Sequence, residues 1–191
     1  MLHTLAIANY RSIRDLVLPL DRLNLVTGPN GSGKSNLYRG LRLLCDAARG
    51  DAHRVLAREG GLPSVLWAGP QTLSRAARRG EQPIQGGPRH KPQSLRLGFA
   101  SDECGFAVDF GYPEPVPGTM FLLDPEIKRE VIWHGGTWHS RRALVDRDGP
   151  LVRARTDSGS WQVIEQHLPA YESMLSRVAD PQSAPEALML R

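Results

Sequence analysis

Alternating hydrophobic positions predict β structure over residues 2–27. Leu16, Leu18 and Leu20 recur at every second residue, as the side chains of a half-buried strand do. The short apolar run at residues 23–27 (LNLVT) is typical of a strand that is buried on both faces. The chain is therefore expected to begin with strands, the last of which leads directly into a glycine-rich segment.

A helix is predicted after that segment. Its apolar positions recur at spacings of four, three and four, and they are Leu37, Leu41, Leu44 and Ala48. Gly50 follows as a helix stop. The front of the chain thus predicts the order strand, tight turn, helix.

The middle of the chain predicts a meander of antiparallel strands. Residues 95–99 and 106–110 alternate on either side of the turn at residues 101–103, which is a hairpin pattern. Further strands are predicted at residues 120–123, 131–133, 143–145, 151–155 and 161–164, with turns at residues 146–149 and 158–160. A helix is compatible with residues 171–178, and the tail at residues 180–191 shows no clear pattern.

Composition excludes several classes of protein. The chain has 191 residues, a net charge of +4, two cysteines and no apolar run of the ~20 residues that a membrane span needs. We expect a globular chain in the cytoplasm, without a disulfide framework or a membrane partner. Residues 1–100 carry 15 basic and 6 acidic side chains. This excess favours nucleotide or nucleic acid, although a general bias toward arginine also explains much of it.

The segment Gly-Pro-Asn-Gly-Ser-Gly-Lys-Ser at residues 28–35 fits G-x-x-x-x-G-K-[ST] at every fixed position. Glycines let the backbone curl so that its N–H groups point at phosphate oxygens. Lys34 provides a full positive charge for the β and γ phosphates, and the Ser35 hydroxyl suits Mg²⁺. The segment predicts a site for Mg·ATP formed by Gly28, Pro29, Asn30, Gly31, Ser32, Gly33, Lys34 and Ser35, with Ser35 as the metal ligand.

Two stretches, residues 9–15 (NYRSIRD) and residues 23–41, resemble the start of the RecF/SMC/Rad50-like branch of ABC-type ATPases. They resemble more closely the bacterial AAA family ATPases with a RecF-like N-terminus. The resemblance implies an α/β P-loop NTPase fold of the ABC/RecF-like type, with a partial core sheet and an antiparallel β subdomain. It adds Asn36 to the nucleotide site. It also implies that Arg11 and Ser12 lie near the base or phosphates, with a structural role for Arg11 equally open, and that one glutamine, which no pattern singles out, senses the γ-phosphate.

The same resemblance requires a Walker B strand, a signature motif and a switch histidine. Residues 121–124 end in Asp124 after an apolar run, but Pro125 stands where a catalytic Glu belongs, so a turn is expected there. Residues 158–160 (SGS) are better explained as a hairpin turn than as a signature motif. We therefore expect no catalytic residues in this chain, ATP binding with poor turnover, and a C-terminal half or second ATPase head as partner.

The chain divides into four predicted parts: a P-loop nucleotide-binding core at residues 1–68, a flexible loop rich in Gly, Pro and Arg at residues 69–93, an antiparallel β subdomain at residues 94–165, and a short helix and tail at residues 166–191. The resemblance implies a role in DNA repair or defence, with DNA as a further possible partner.

Two other functions stay open. One is a non-catalytic DNA or protein interaction module in which nucleotide is regulatory, and the other is a small P-loop phosphotransferase that uses Asp124. The antiparallel middle of the chain argues against the second, because such kinases alternate strands and helices. A metal site at His134 and His139 fits no zinc spacing. The arginines of the 69–93 loop, Arg75, Arg78 and Arg79, are expected to be solvated.

Overall fold

A computed structural model describes residues 1–70, 74–81, 93–115, 117–118, 120–180, 182 and 184–190. It contains eight strands: β1 (Leu2–Tyr10), β2 (Ile13–Pro19), β3 (Leu95–Ser101), β4 (Cys104–Gly111), β5 (Glu126–His134), β6 (Ala143–Asp148), β7 (Leu151–Arg155) and β8 (Trp161–Glu165). Six α-helices accompany them: α1 (Lys34–Ala48), α2 (Ala52–Arg58), α3 (Leu62–Val65), α4 (Arg75–Arg78), α5 (Met174–Arg177) and α6 (Pro185–Met189). A 3-10 helix, Ser140–Arg142, precedes β6.

All eight strands form one sheet in the order β2-β1-β3-β4-β5-β6-β7-β8, and every neighbouring pair is antiparallel. The first hairpin, β1–β2, joins the later meander because β1 pairs with β3, with Ile7 opposite Leu97. Within the described part of the chain, this is therefore a mixed α/β structure built on a single antiparallel sheet.

Five of the described helices, α1, α2, α3, α5 and α6, contribute residues to the core on one face of the sheet. The buried residues of α1 are Gly40, Leu43, Leu44 and Ala47, and they belong to the main hydrophobic core together with Leu5 and Ile7 of β1. The other face carries only a small apolar cluster around Trp133. The two faces of the sheet thus differ, because one supports a helical layer and the other stays open.

Most of the predicted regular structure is confirmed. The helix begins at Lys34 and ends before Gly50, whose φ of 82° is left-handed. The hairpin β3–β4, the strands of β5 to β8 and the turn at residues 158–160 are also present. The predicted turn at residues 146–149 is shorter than expected, because β6 continues to Asp148. The helix expected at residues 171–178 is limited to α5, and α2, α3 and α6 had no clear signal in the sequence.

Two predicted strands are wrong. Residues 23–27 form no strand, and Leu23 and Leu25 are 90% and 86% exposed. No described strand pairs with this segment, and within the described part of the structure its apolar side chains stay exposed. Residues 120–123 form an exposed turn instead of a strand, closed by a hydrogen bond from Asp124 N–H to the Phe121 carbonyl of 3.2 Å. Pro125 lacks an N–H for a sheet ladder, which disfavours a strand through this point.

Much of the 69–93 segment predicted as a flexible loop lies outside the described residues, namely residues 71–73 and 82–92. Of the remainder, residues 75–78 form α4, where the Ser74 side chain caps the helix by accepting from Ala77 N–H. No helix within the described ranges has the length and apolar character that crossing a membrane requires.

A buried ion pair fastens the last part of the chain to the sheet. Arg147 Nη1 lies 2.9 Å from Glu130 Oε2, and both side chains are 0% exposed. Arg147 also donates to the carbonyls of Gly149, Pro169 and Glu172. Glu130 accepts from the Ser173 hydroxyl and from Met174 N–H at the start of α5. Burial raises the pKa of Glu130, and these donors oppose that rise.

We expect Glu130→Gln to lower the free energy of unfolding by about 3–5 kcal/mol, because it leaves the Arg147 guanidinium buried without a counter-charge. Urea unfolding followed by tryptophan fluorescence measures the loss. The matched control is Glu126→Gln, which breaks the half-exposed ion pair with Lys128 and should cost no more than about 1 kcal/mol. Equal losses in the two variants would contradict this assignment.

Candidate functional site

The predicted phosphate loop lies on the surface at the start of α1. Residues 28–32 are exposed and form no regular structure, and Ser32 N–H bonds the Pro29 carbonyl at 3.3 Å. Gly33 occupies the N-cap of α1 with a φ of 95°, and Gly31 has a φ of 81°. Both values are left-handed, a conformation that is common for glycine and strained for other residues. The glycines of the motif are therefore required by the observed backbone.

Lys34 closes over its own loop. Its Nζ atom donates to the carbonyls of Gly28 and Pro29 at 2.6 and 2.7 Å. The first turn of α1 has no acidic residue, and no side chain caps its N-terminus. The free N–H groups, the positive end of the helix dipole and the ammonium group therefore lie together, which makes this loop suitable for a polyanion.

Ser12, in the turn between β1 and β2, holds the loop from the side of the sheet. Asn36 Nδ2 donates to Ser12 Oγ at 2.9 Å. A Cβ atom added to Gly33 would lie 2.7 Å from the same Ser12 oxygen. Two motif positions, Gly33 and Asn36, are thus fitted to one serine, and the hairpin sets where the loop stands.

The turn that carries Ser12 is itself strained and braced. Asn9 and Arg11 have positive φ values of 61° and 49°, which are unusual for residues other than glycine. Arg11 N–H bonds the Val65 carbonyl at 2.6 Å, and Trp67 N–H bonds the Asn9 carbonyl at 3.0 Å. The end of α3 and the residues after it therefore hold the turn through backbone hydrogen bonds.

Glu59 provides the side-chain part of this brace. Its Oε2 atom accepts from Tyr10 Oη at 3.1 Å and from Arg11 Nη2 at 2.8 Å. Burial raises the pKa of Tyr10, and the hydrogen bond with Glu59 raises the pKa of Arg11. Of the two roles left open for Arg11, this geometry supports the structural one, while Ser12 is the residue that reaches the loop.

Sequence reasoning missed Glu59. It lies 48 residues from Arg11 along the chain, so no local spacing connects them. No feature of the sequence around Glu59 marks it as the acceptor for Tyr10 and Arg11.

The other candidate residues lie in turns or, for His134, at the end of β5. Asp124 is in the exposed turn between β4 and β5, so the Walker B arrangement is not formed there. His139 Nδ1 accepts from Arg141 N–H and begins the 3-10 helix, while His134 ends β5. No three metal-ligating side chains group together in the ranges that the structure covers. Arg79 lies 3.8 Å from Glu81 at an exposed position.

Residues 23–81 match the family model described as "AAA domain, putative AbiEii toxin, Type IV TA system". The matched segment includes the loop, α1 and the brace at Glu59 and Val65, and it is less than half of the chain. It supports a nucleotide-binding, P-loop ATPase type of domain. No curated protein matches the chain.

We expect Gly33→Ala to weaken binding of a fluorescent ATP analogue by more than about tenfold, because the left-handed backbone costs ~1–2 kcal/mol and the new Cβ also meets Ser12. Gly31→Ala is the control, since it has the same backbone sign but nothing within 4 Å of its added Cβ. Removing the Ser12 hydroxyl with Ser12→Ala should restore part of the affinity in the Gly33 variant and none in the Gly31 variant. The packing account is wrong if the two glycine variants behave alike.

Proposed function

We propose that this chain binds Mg·ATP through residues 28–36 and provides the P-loop side of a RecF/SMC-like ATPase. The observation that carries the proposal is the loop itself, where the Lys34 ammonium and the uncapped start of α1 meet without an acidic neighbour in the first turn. In the bound state, Lys34 exchanges the Gly28 and Pro29 carbonyls for phosphate oxygens, which are stronger acceptors because they are charged.

In this proposal, Ser35 is the residue that binds Mg²⁺. This residue is the second of α1 and is exposed, so its hydroxyl is available to a cation bound beside the phosphates. Mg²⁺ would neutralise charge on the β and γ phosphates and orient them. Asn36 is committed to Ser12, so its part is to hold the loop against the β1–β2 turn.

Hydrolysis needs groups that the described residues do not bring to the loop. Orienting the attacking water requires a general base, and Asp124 lies in an exposed turn before Pro125 instead of at a strand end. We therefore propose that Walker B and signature residues come from a partner, either a C-terminal half or a second ATPase head. The isolated chain then holds nucleotide with negligible turnover.

The exposed segment at residues 23–27 supports a composite site. Leu23, Leu25 and Val26 lie directly before the loop and are 90%, 86% and 48% exposed. An exposed segment with apolar side chains and unpaired backbone N–H and C=O groups is a template for pairing with another strand. A partner strand added here would stand beside the phosphate loop, where a catalytic base is needed. A role in DNA repair or defence follows from the sequence resemblance alone.

The ATP proposal is tested with Lys34→Ala. Removing the charged donor should weaken Mg·ATP binding by roughly ten- to a hundredfold in calorimetry, since a hydrogen bond to a charged group contributes about 1.5–3 kcal/mol. Arg42→Ala is the control, because Arg42 is an exposed cation on the same helix. The steady-state rate of ATP hydrolysis by the unmodified chain should be close to background.

Two results would overturn this reading. Robust ATP turnover that Lys34→Ala abolishes would show that the chain contains its own catalytic base. Absence of any Mg·ATP binding, together with salt-dependent DNA binding that ignores ATP, would favour the non-catalytic interaction module.

The exposed segment gives a separate prediction. Leu25→Asp should change the free energy of unfolding by less than about 0.5 kcal/mol and lower the binding of a hydrophobic dye, because Leu25 is exposed in the isolated chain. Leu18→Asp in β2 is the control, since Leu18 faces the core side and is half-buried. A loss of stability in the Leu25 variant as large as that in the Leu18 variant would mean that the segment is packed, and the composite site would lose its support.

A further inference from the structure

The open face of the sheet is hollowed into a trough of about 740 Å³. Its floor is a row of small residues that are register partners across three strands, namely Ala6 of β1, Gly98 of β3 and Ala107 of β4. Val17 of β2 and Val131 of β5 continue this row on either side. The volume lies within the range of roughly 300–1,000 Å³ that is usual for small-ligand sites.

One end of the trough has an aromatic wall. The Trp133 ring lies across Gly105, where an added Cβ would be 2.2 Å from the indole. Trp133 donates its indole N–H to the Gly136 carbonyl, and Trp138 packs edge-on against it with ring centroids 5.2 Å apart. Trp138 remains 44% exposed, so a fixed apolar surface is available to a ligand at this end.

The other end carries charges. Arg96 of β3 and Asp109 of β4 are register partners, and Arg129 of β5 is the partner of Asp109 on its other side. Arg129 is used elsewhere, because its Nε donates to Asp146 Oδ1 at 3.1 Å. Asp109 Oδ1 is buried without a hydrogen-bond partner, and among the described side chains no ion pair joins it to Arg96 or Arg129.

Burying this carboxylate oxygen without a hydrogen-bond partner therefore costs free energy. Burial raises the pKa of this carboxyl, against the opposing effects of a hydrogen bond from the Ser94 side chain and of the nearby charges of Arg96, Arg129 and Lys128. Asp109 lines the trough, and a desolvated carboxylate oxygen without a partner is stabilised when a donor reaches it. The Arg96 guanidinium beside it is exposed and can donate to an anionic group of a ligand.

We propose that this trough binds a zwitterion with an apolar body, of the class of α-amino acids with large apolar side chains. The ligand ammonium donates to Asp109, its carboxylate accepts from Arg96, and its side chain lies over the small-residue floor toward Trp138. A ligand with only a negative charge would be repelled by the Asp109 carboxylate, and a ligand with only a positive charge would be repelled by Arg96. Only a head group with both charges satisfies both side chains.

The dimensions and position agree with this class. Asp109 lies at the charged end of the trough and Gly105 at the aromatic end. The two residues are four positions apart on β4, so the ends are separated by about 13 Å at the rise of a strand. The trough lies on the face of β1 that presents Ala6, while α1 packs on the face that presents Ile7. It is therefore a second site, separate from the phosphate loop.

The test uses L-phenylalanine as the probe, with calorimetry and tryptophan fluorescence on the full chain. Its matched analogues are phenethylamine, which lacks the carboxylate, and 3-phenylpropionate, which lacks the ammonium. We expect both analogues to bind at least about tenfold more weakly than the amino acid, and Arg96→Gln and Asp109→Asn each to weaken the amino acid by a similar factor. Asp109→Asn should leave the melting temperature unchanged or raise it, which separates a binding role from a structural one.

Ala107→Leu fills the floor and should abolish binding, whereas Ala57→Leu, at an exposed position of α2, should leave it unchanged. Lys34→Ala should also leave it unchanged, so failure of the ATP proposal and failure of this one are distinguishable. The inference is overturned if no heat or fluorescence change accompanies the amino acid, if the single-charge analogues bind as well as it does, or if Ala107→Leu binds normally in a folded chain.

Discussion

The close approach of α1 to the β1–β2 hairpin sets the position of the phosphate loop. At Gly40 an added Cβ would lie 2.7 Å from Ile7 Cδ1, and at Gly33 it would lie 2.7 Å from Ser12 Oγ. These glycines are seven residues apart, about two helical turns, so they lie on the same face. A side chain at either position would require Ile7, Ser12 or the helix to shift, so the contact between the phosphate loop and the hairpin would change.

This dependence explains how the loop is ordered without a paired strand before it. Residues 23–27 are exposed, so the loop is supported from its other side by Ser12, and Ser12 by the brace of Glu59, Tyr10 and Arg11. Two left-handed residues, Asn9 near the end of β1 and Arg11 in the turn, each cost on the order of 1–3 kcal/mol and are held in this conformation by the surrounding contacts. The strain is thus stored next to the loop, where it fixes geometry, and not in the core.

The elements that the sequence predicted well are those with local causes. The α1 helix, the β3–β4 hairpin and the glycine-rich loop follow from periodicity and turn chemistry within about fifteen residues. The failure at residues 23–27 has a different cause, since an apolar run forms a buried strand only when other strands flank it. The links Glu130–Arg147 and Glu59–Arg11 join residues 17 and 48 positions apart, so no local pattern could reveal them. The candidate loop was therefore predictable, whereas its brace and the trough were not.

The residues of β1 show why the open face is not an ordinary solvent face. An antiparallel sheet with one wet face usually alternates apolar with polar residues. Here β1 alternates large apolar residues, Leu5 and Ile7, with the small ones Ala6 and Ala8, and the register continues the small row through Gly98 and Ala107. Glycine inside a strand lowers its stability and marks places where backbone or ligand approaches closely. The core contacts only the large residues of β1. The small residues on the other face leave room for the trough, which Asp109 lines and where its Oδ1 has no hydrogen-bond partner.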